Sequence, residues 1–246
     1  MDIELLNSLV CPRHNDSSLI LDRKELLCSL GCRYTIVEIE GQLVPNLLVL
    51  ESGQKWSPGE RSLNSHLLAS VAGSAFPVHS FEGATLDLGC GDNARGTVNV
   101  DCYVPRKIPP NFVLANNEFL PFREKSFDYV TSYYNLEHLV SPVDFLRSAY
   151  KIARRRVDVL TDNSDWAGDF LFRIVGKGRI FHDEHYYKWS VEYLANLVKR
   201  AGCDDFEVYV ENKSNGILVS LFAGLAFIRK LRPIVMRDLH LVINVS

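Results

Sequence analysis

Two groups of residues in this chain have the types and the spacing to do chemistry. The apolar run 84–88 (ATLDL) carries Asp87 and breaks off into Gly89, Cys90 and Gly91. Glycine has no Cβ, so the chain can turn sharply there and bring its amides close to a ligand. Beyond it, the run 97–100 (TVNV) ends in Asp101. A carboxylate at that strand end can accept two hydrogen bonds from vicinal ribose hydroxyls. Together the turn and the carboxylate describe a crevice for a nucleotide-like cofactor. The second group is Cys11-x2-His14 followed, after thirteen residues, by Cys28-x3-Cys32. Two closely spaced pairs of soft or borderline ligands on tight turns suit a tetrahedral zinc ion, and four protein ligands make that ion structural.

The elements that must hold these groups can be read around them. Runs 18–22 (SLILD) and 25–28 (ELLC) are short strands that bring the two knuckles together as a hairpin, with Gly31 allowing the tight backbone of the second. A unit this small, residues 1–50, has few large apolar side chains and needs such a staple. Residues 51–59 form a turn-rich linker. Leu63, Leu67, Leu68 and Val71 recur at helical spacing and predict a helix over 60–72, leading into a main domain over 60–246. There, runs 84–88, 97–100, 112–115 and 126–132 read as buried strands of an open α/β sheet, which makes its ligand crevice at the strands' carboxyl ends. Only residues 92–96 separate the glycine turn from the second strand. Parallel strands normally need a crossover of about a dozen residues, usually a helix. That side of the pocket is therefore open or covered by another segment, and the cysteine-rich module is one candidate for the cover.

The ordered series LDLGCG (86–91), LPF (120–122), SFD (126–128) and LEH (136–138) resembles the class I S-adenosylmethionine-dependent methyltransferases. It is closest to the broad methyltransferase-11-like group associated with small molecules and glycans. The likeness is strong over 84–155 and continues through HDEH (182–185) and WSVEYL (189–194), and GTVNVD (96–101) is similar to a short form of that group. The first fifty residues resemble the zinc ribbons that precede or partner certain methyltransferases, with Thr35 where a proline is usual. What the resemblance implies is a Rossmann-like class I methyltransferase sheet with a small N-terminal zinc-ribbon domain, using S-adenosyl-L-methionine and a structural zinc. Asp87, Gly89, Cys90 and Gly91 would surround the methionine part of the cofactor and Asp101 its ribose. Asn116, Asn117, Glu118 and Phe119 would border the adenine, with asparagine where an aspartate is usual. Tyr133 and Tyr134 would close over the sulfonium. Candidate catalytic residues are His138, His182 and His185, with Glu137 a further base. For His138 the competing reading is packing beneath the cofactor, and the Trp189 and Tyr193 stripe reads as core. Runs 206–210 and 239–245 look like the antiparallel strands that finish the sheet.

Composition bounds the rest. The chain has 246 residues, 27 basic and 30 acidic side chains and a net charge of −3, which excludes disorder and a strongly basic nucleic-acid binder. No signal-like start is present, the longest uncharged apolar stretch (217–228) is 12 residues, and a bilayer span needs about 20, so a cytoplasmic protein without a transmembrane segment is expected. The stretch 217–231 reads as a core helix or lid, with a peripheral lipid contact or a dimer interface as alternatives. Lys151 and Arg154–Arg156 are the densest positive patch. They read as a solvated helix end, with phosphate binding as the rival reading, and the loop 176–179 is a weaker anion contact. No Asn- or Asp-Pro-Pro-Tyr tetrapeptide follows the fourth strand, where SYYN (132–135) stands. Oxygen, carbon or ring-nitrogen acceptors are therefore favoured, on a small molecule, lipid or glycan. The alternatives are a ribosomal or transfer RNA base methyltransferase, disfavoured by the net acidity, and a non-catalytic scaffold that only binds the cofactor.

Overall fold

The structure is a computed structural model that describes residues 3–50, 81–168, 174, 185–211 and 231–246. The linker 51–59, the helix expected over 60–72, the loop 176–179, His182 and the stretch 217–230 lie outside the described residues.

Among the described residues twelve strands join in one sheet of order β1-β2-β3-β4-β5-β8-β7-β6-β9-β10-β12-β11. Its main part is β6 (Thr85–Leu88), β7 (Val98–Asp101), β8 (Phe112–Leu114), β9 (Phe127–Tyr133) and β10 (Ala153–Asp162). These five run parallel, in the order 8-7-6-9-10. β12 (Asp238–Asn244) inserts antiparallel between β10 and β11 (Phe206–Glu211). This is the class I methyltransferase topology, and β6 and β9 flank its switch point, where an open sheet splays its loops apart and leaves a crevice. One face of the central strands is apolar, with Leu86, Leu88, Val100, Val130, Val157 and Val159 fully buried, while the other carries the buried polar residues Thr85, Asp87, Asn99, Thr131 and Asp158.

Among the described residues two helices cover one face. α2 (Pro142–Ile152) starts with proline, whose missing amide costs nothing at that position, and buries Phe145, Leu146, Ala149 and Ile152. α3 (Val191–Ala201) is capped by the Ser190 hydroxyl, which accepts from the Tyr193 amide, and is closed by Gly202 in the left-handed region. It buries Leu194, Leu197 and Val198. Tyr193 is 69% exposed, so only Trp189 of the expected aromatic stripe is core. The helix expected to carry Arg154–Arg156 ends at Ile152, and these residues begin β10. There Arg154 and Arg155 lie 3.7 and 3.8 Å from the Asp128 carboxylate, and Arg156 lies against Asp158.

The first fifty residues extend this sheet. After α1 (Ile3–Ser8), the strands β1 (Val10–Cys11), β2 (His14–Asp22), β3 (Glu25–Cys28), β4 (Arg33–Ile39) and β5 (Gln42–Asn46) form an antiparallel meander. β5 then pairs parallel with β8 at Asn46 and Leu114, and the Leu47 amide donates to the Leu114 carbonyl at 2.8 Å. The module thus covers what would be a bare sheet edge. At its other end Leu9 bridges Phe122, and the Val10 amide donates to the Pro121 carbonyl at 2.9 Å.

No helix links β6 to β7, as the short spacing requires. Gly96 makes the direct crossing feasible. A Cβ there would lie 2.3 Å from the Val98 carbonyl oxygen, 2.8 Å from the Asp87 nitrogen and 2.9 Å from the Thr85 oxygen. All three are backbone atoms and cannot swing aside. Asn99 clasps the crossing, accepting from the Gly96 amide and donating to the Gly96 and Pro110 carbonyls. Beside the crossing a second apolar cluster forms from Cys90, Val104 and Ile108 with Val44, Val37 and Leu48 of the N-terminal module. We expect Gly96→Ala to cost about 2–3 kcal/mol, read as a melting temperature lowered by roughly 5–10 °C; unchanged melting would contradict the close crossing.

Candidate functional site

The crevice at the carboxyl ends of β6, β7 and β9 is built by the glycine turn and three carboxylates or amides beneath it. Gly89 has φ +68° and Gly91 φ +49°, the left-handed region that a Cβ disfavours. The Gly89 and Cys90 amides both donate to the Val100 carbonyl, at 2.9 and 3.0 Å. The Gly91 amide donates to Asp101 Oδ2 at 2.9 Å, and the Tyr103 amide to Asp101 Oδ1 at 3.0 Å. The turn and the Asp101 carboxylate thus lie side by side. The Cys102 amide and thiol add further hydrogen bonds to this carboxylate, whose pKa is raised by burial. Cys90 is buried and its thiol pushed well up by burial, with Asp101 and Asp87 adding to the effect.

Asp87 is buried and raised to about 6, chiefly by burial, against the opposing pull of the Arg95 charge and a hydrogen bond from Thr131. Its Oδ1 accepts from the Thr131 hydroxyl at 2.9 Å and its Oδ2 from the Arg95 amide at 2.9 Å. Beneath Gly89, Asn135 donates to the Ser132 hydroxyl and accepts from Asn117 Nδ2, each at 3.0 Å, and Ser132 donates to the Leu88 carbonyl. A Cβ on Gly89 would come within 2.4 Å of Asn135 Cγ.

The flanking residues divide. Asn117 Oδ1 is buried with no hydrogen-bond partner among the described residues, a cost unless a ligand donor meets it. Asn116, read as an adenine contact, accepts the Val49 amide at 2.8 Å and ties the N-terminal module to the crevice rim. Glu118 accepts the Val140 amide at 3.0 Å, and Phe119 is 46% exposed. Tyr133 is buried under the Arg95 guanidinium, 4.9 Å from its ring centroid. Tyr134, read as a second cover, sends its hydroxyl to Asp238 Oδ1 at 2.9 Å on β12. Burial and Asp238 push that phenol far above its ordinary value.

Arg95 and Asn135 escaped the sequence reading. Arg95 looks like an ordinary charge in a short loop, and Asn135 like the end of a strand. Only the SYYN run directly before LEH hinted that something polar packs there. If Arg95 holds an anionic group of the ligand, Arg95→Ala should weaken S-adenosylhomocysteine binding about tenfold, the loss of one charge-assisted contact. Calorimetry with unchanged affinity would remove that role.

A further cluster lies beside the crevice. Glu137, in the short 3-10 helix Leu136–His138, is fully buried and raised to about 8, first by burial and then by the charge of Asp162. Its Oε2 accepts from the Thr161 hydroxyl at 2.9 Å. His185 is held against it: the Tyr186 amide donates to the Glu137 carbonyl at 2.9 Å, and the His185 ring meets the His138 ring edge-on at 4.5 Å. His138 and His185 are thus brought together, while His182 lies outside the described residues.

In the N-terminal module Cys11, His14, Cys28 and Cys32 converge, with their ligand atoms within 4.8 Å of one another. His14 Nδ1 lies 3.6 Å from each of the three sulfurs. A tetrahedron with Zn–S of about 2.3 Å and Zn–N of about 2.0–2.1 Å has an S···N edge of about 3.5–3.6 Å. The residues therefore fit a zinc ion. Outer partners orient them: Tyr34 Oη lies 3.2 Å from Cys11 Sγ, Ser17 Oγ 3.1 Å from Cys28 Sγ, and the Leu30 amide donates to Cys28 Sγ. Gly31 supplies the turn with φ +91°. Burial opposes ionisation of Cys28, but hydrogen bonds from Ser17, Leu30 and His14 outweigh it and lower the thiol to about 6.

Residues 96–159 match the family described as a methyltransferase domain, a segment running from the crossing through β10. Similar solved structures include a possible histamine N-methyltransferase of Thermotoga maritima, 17% identical over 68% of this chain and 84% of that one, TM-score 0.48. A structure titled as the Trm112 activator with a putative methyltransferase, from Haloferax volcanii, is 13% identical over 74% and 87%, TM-score 0.47. A methyltransferase of Archaeoglobus fulgidus is 16% identical over 74% and 90%, TM-score 0.46. No curated protein matches the chain. The matched segment and the topology support an enzyme of the S-adenosylmethionine-dependent methyltransferase class. Among the described residues no helix is long and apolar enough to cross a membrane.

Proposed function

We propose that this chain is an S-adenosylmethionine-dependent methyltransferase whose N-terminal module, residues 1–50, is a zinc ribbon, and that it methylates oxygen, carbon or ring nitrogen on a small-molecule, lipid or glycan acceptor. One observation carries the reading: the Gly89–Gly91 turn and the Asp101 carboxylate sit together at the switch point of the sheet. The residues fit the cofactor. Asp101 holds the ribose hydroxyls, the amides of the glycine turn border the methionine part, and Arg95 takes its carboxylate. The orphaned Asn117 Oδ1 accepts one of the cofactor's N–H donors, and Phe119 lines the rim. Cys11, His14, Cys28 and Cys32 hold zinc, which shapes the module packed beside the short 92–96 crossing.

The cofactor supplies a methyl carbon activated by a positively charged sulfur. The chain's own work is to align the acceptor in line with that carbon, exclude water and ease the loss of the acceptor's proton. Glu137 and the two imidazoles beside it are the polar groups placed to meet the acceptor. Labelled S-adenosylmethionine, incubated with the protein and with separated polar-metabolite, lipid, glycan and RNA fractions, tests the reading. Label is expected in one of the first three; label only in RNA would reverse the acceptor class, and none in any fraction would count against catalysis.

A further inference from the structure

We propose that Glu137, His138 and His185 form a second metal site, distinct from the ribbon, that binds a divalent transition-metal ion and through it an oxygen of the acceptor. The inference deepens the methyltransferase reading and rests on it for the acceptor's role, though not for the metal.

The geometry is specific. One carboxylate oxygen and one ring nitrogen from each histidine lie within 4.8 Å of one another, close enough to be drawn onto a single ion at ligand distances near 2.0–2.2 Å. The set is held from two directions. Glu137 is anchored by the Thr161 hydroxyl on β10. His185 arrives on a segment fixed by the Tyr186 amide to the Glu137 carbonyl, and the Tyr187 hydroxyl donates to the Val140 carbonyl. Two imidazoles and one carboxylate suit zinc, manganese or iron, not the softer thiolate chemistry of the ribbon. Three protein ligands leave coordination positions open, the mark of a reactive site and not a closed structural one.

Position supplies the role. The 3-10 helix follows Asn135, the residue packed beneath Gly89, and the His138 amide donates to the Asn135 carbonyl at 3.0 Å. The cluster therefore lies at the carboxyl ends of β9 and β10, on the same edge of the sheet as the glycine turn. A divalent ion there lowers the pKa of a coordinated hydroxyl. The hydroxyl proton leaves to solvent. An oxygen lone pair forms the new O–C bond, the S–C bond breaks, and its electron pair stays on sulfur as the neutral thioether. Metal chemistry of this kind favours a hydroxyl acceptor over a carbon one.

The test is a manganese titration of zinc-loaded full-length protein, following free Mn2+ by electron paramagnetic resonance. The hard ion does not compete for a thiolate site. One saturable Mn2+ per chain is expected, weakened tenfold or more in both His185→Ala and Glu137→Gln, with S-adenosylhomocysteine affinity retained in His185→Ala as evidence of an intact crevice. No saturable Mn2+, Co2+ or second Zn2+ would overturn the site, as would binding unchanged in both variants. Manganese binding in a protein that fails to bind S-adenosylhomocysteine would uphold the metal site and remove the methyltransferase reading alone.

Discussion

Replacing Cys28 and Cys32 together with serine is expected to empty the N-terminal module of metal and collapse it. Elemental analysis should find about one zinc per chain in protein prepared without chelators, beyond any occupancy of the Glu137 cluster, and this zinc should be gone in the double variant. The effect should be large because a structural zinc contributes roughly 10–16 kcal/mol to small peptide modules, on top of the module's own buried side chains such as Leu9, Leu26, Val44 and Leu47. Its loss reaches beyond fifty residues. The strand pairing at Leu114 and the apolar cluster joining Val44 and Val37 to Cys90, Val104 and Ile108 both depend on it. The melting temperature should fall by about 10 °C or more, with weakened cofactor binding because Asn116 loses its hold on Val49. Wild-type protein without zinc, or a double variant that melts unchanged, would contradict this account of the ribbon.

The second large effect is expected at Gly89. An alanine there meets two independent penalties. Its backbone would sit at φ +68°, a conformation costing an L-residue about 1–2 kcal/mol. Its Cβ would press on Asn135, at 2.4 Å from Cγ and 2.6 Å from Oδ1. Asn135 is buried and tied to both Ser132 and Asn117. Moving it strands polar groups at about 1–3 kcal/mol each. Gly89→Ala should therefore lower stability by roughly 3–5 kcal/mol and weaken S-adenosylhomocysteine binding by more than about a hundredfold. Gly91, where a Cβ would meet nothing within 4 Å, serves as the comparison: Gly91→Ala carries only the backbone penalty. Equal effects at the two positions would show that the Asn135 contact is unimportant.

Much of this was legible before any coordinates. Cys11, His14, Cys28 and Cys32 announce two knuckles because metal geometry constrains local spacing. The strand ending at Leu88 and the carboxylate at Asp101 are legible because a buried strand and its turn are short-range patterns. The missing crossover helix between Gly91 and Thr97 followed from counting residues. What escaped depends on contacts far apart in the chain. Arg154–Arg156 read as a helix end, yet the helix stops at Ile152 and β10 takes them up, with Asp128 on β9 beside Arg154 and Arg155 and Asp158 beside Arg156. Tyr134 reads as a cover for the cofactor, but its hydroxyl finds Asp238, more than a hundred residues on. Asn116 looks like an adenine contact, and its Oδ1 also holds the Val49 amide. Tyr193 carries the spacing of a core residue but stays exposed, because α3 is anchored by Leu194, Leu197 and Val198. Sequence periodicity tells which side chains can share a face; it does not tell which distant element will claim them.

The central claim is that the Gly89–Gly91 turn and Asp101 cradle the cofactor. Titration calorimetry with S-adenosylhomocysteine addresses it without knowledge of the acceptor. The account predicts one site per chain with a dissociation constant of roughly 1–100 μM, weakened at least tenfold in Asp101→Ala. Absence of binding at millimolar ligand by protein that melts cooperatively, or affinity untouched by Asp101→Ala, would contradict it.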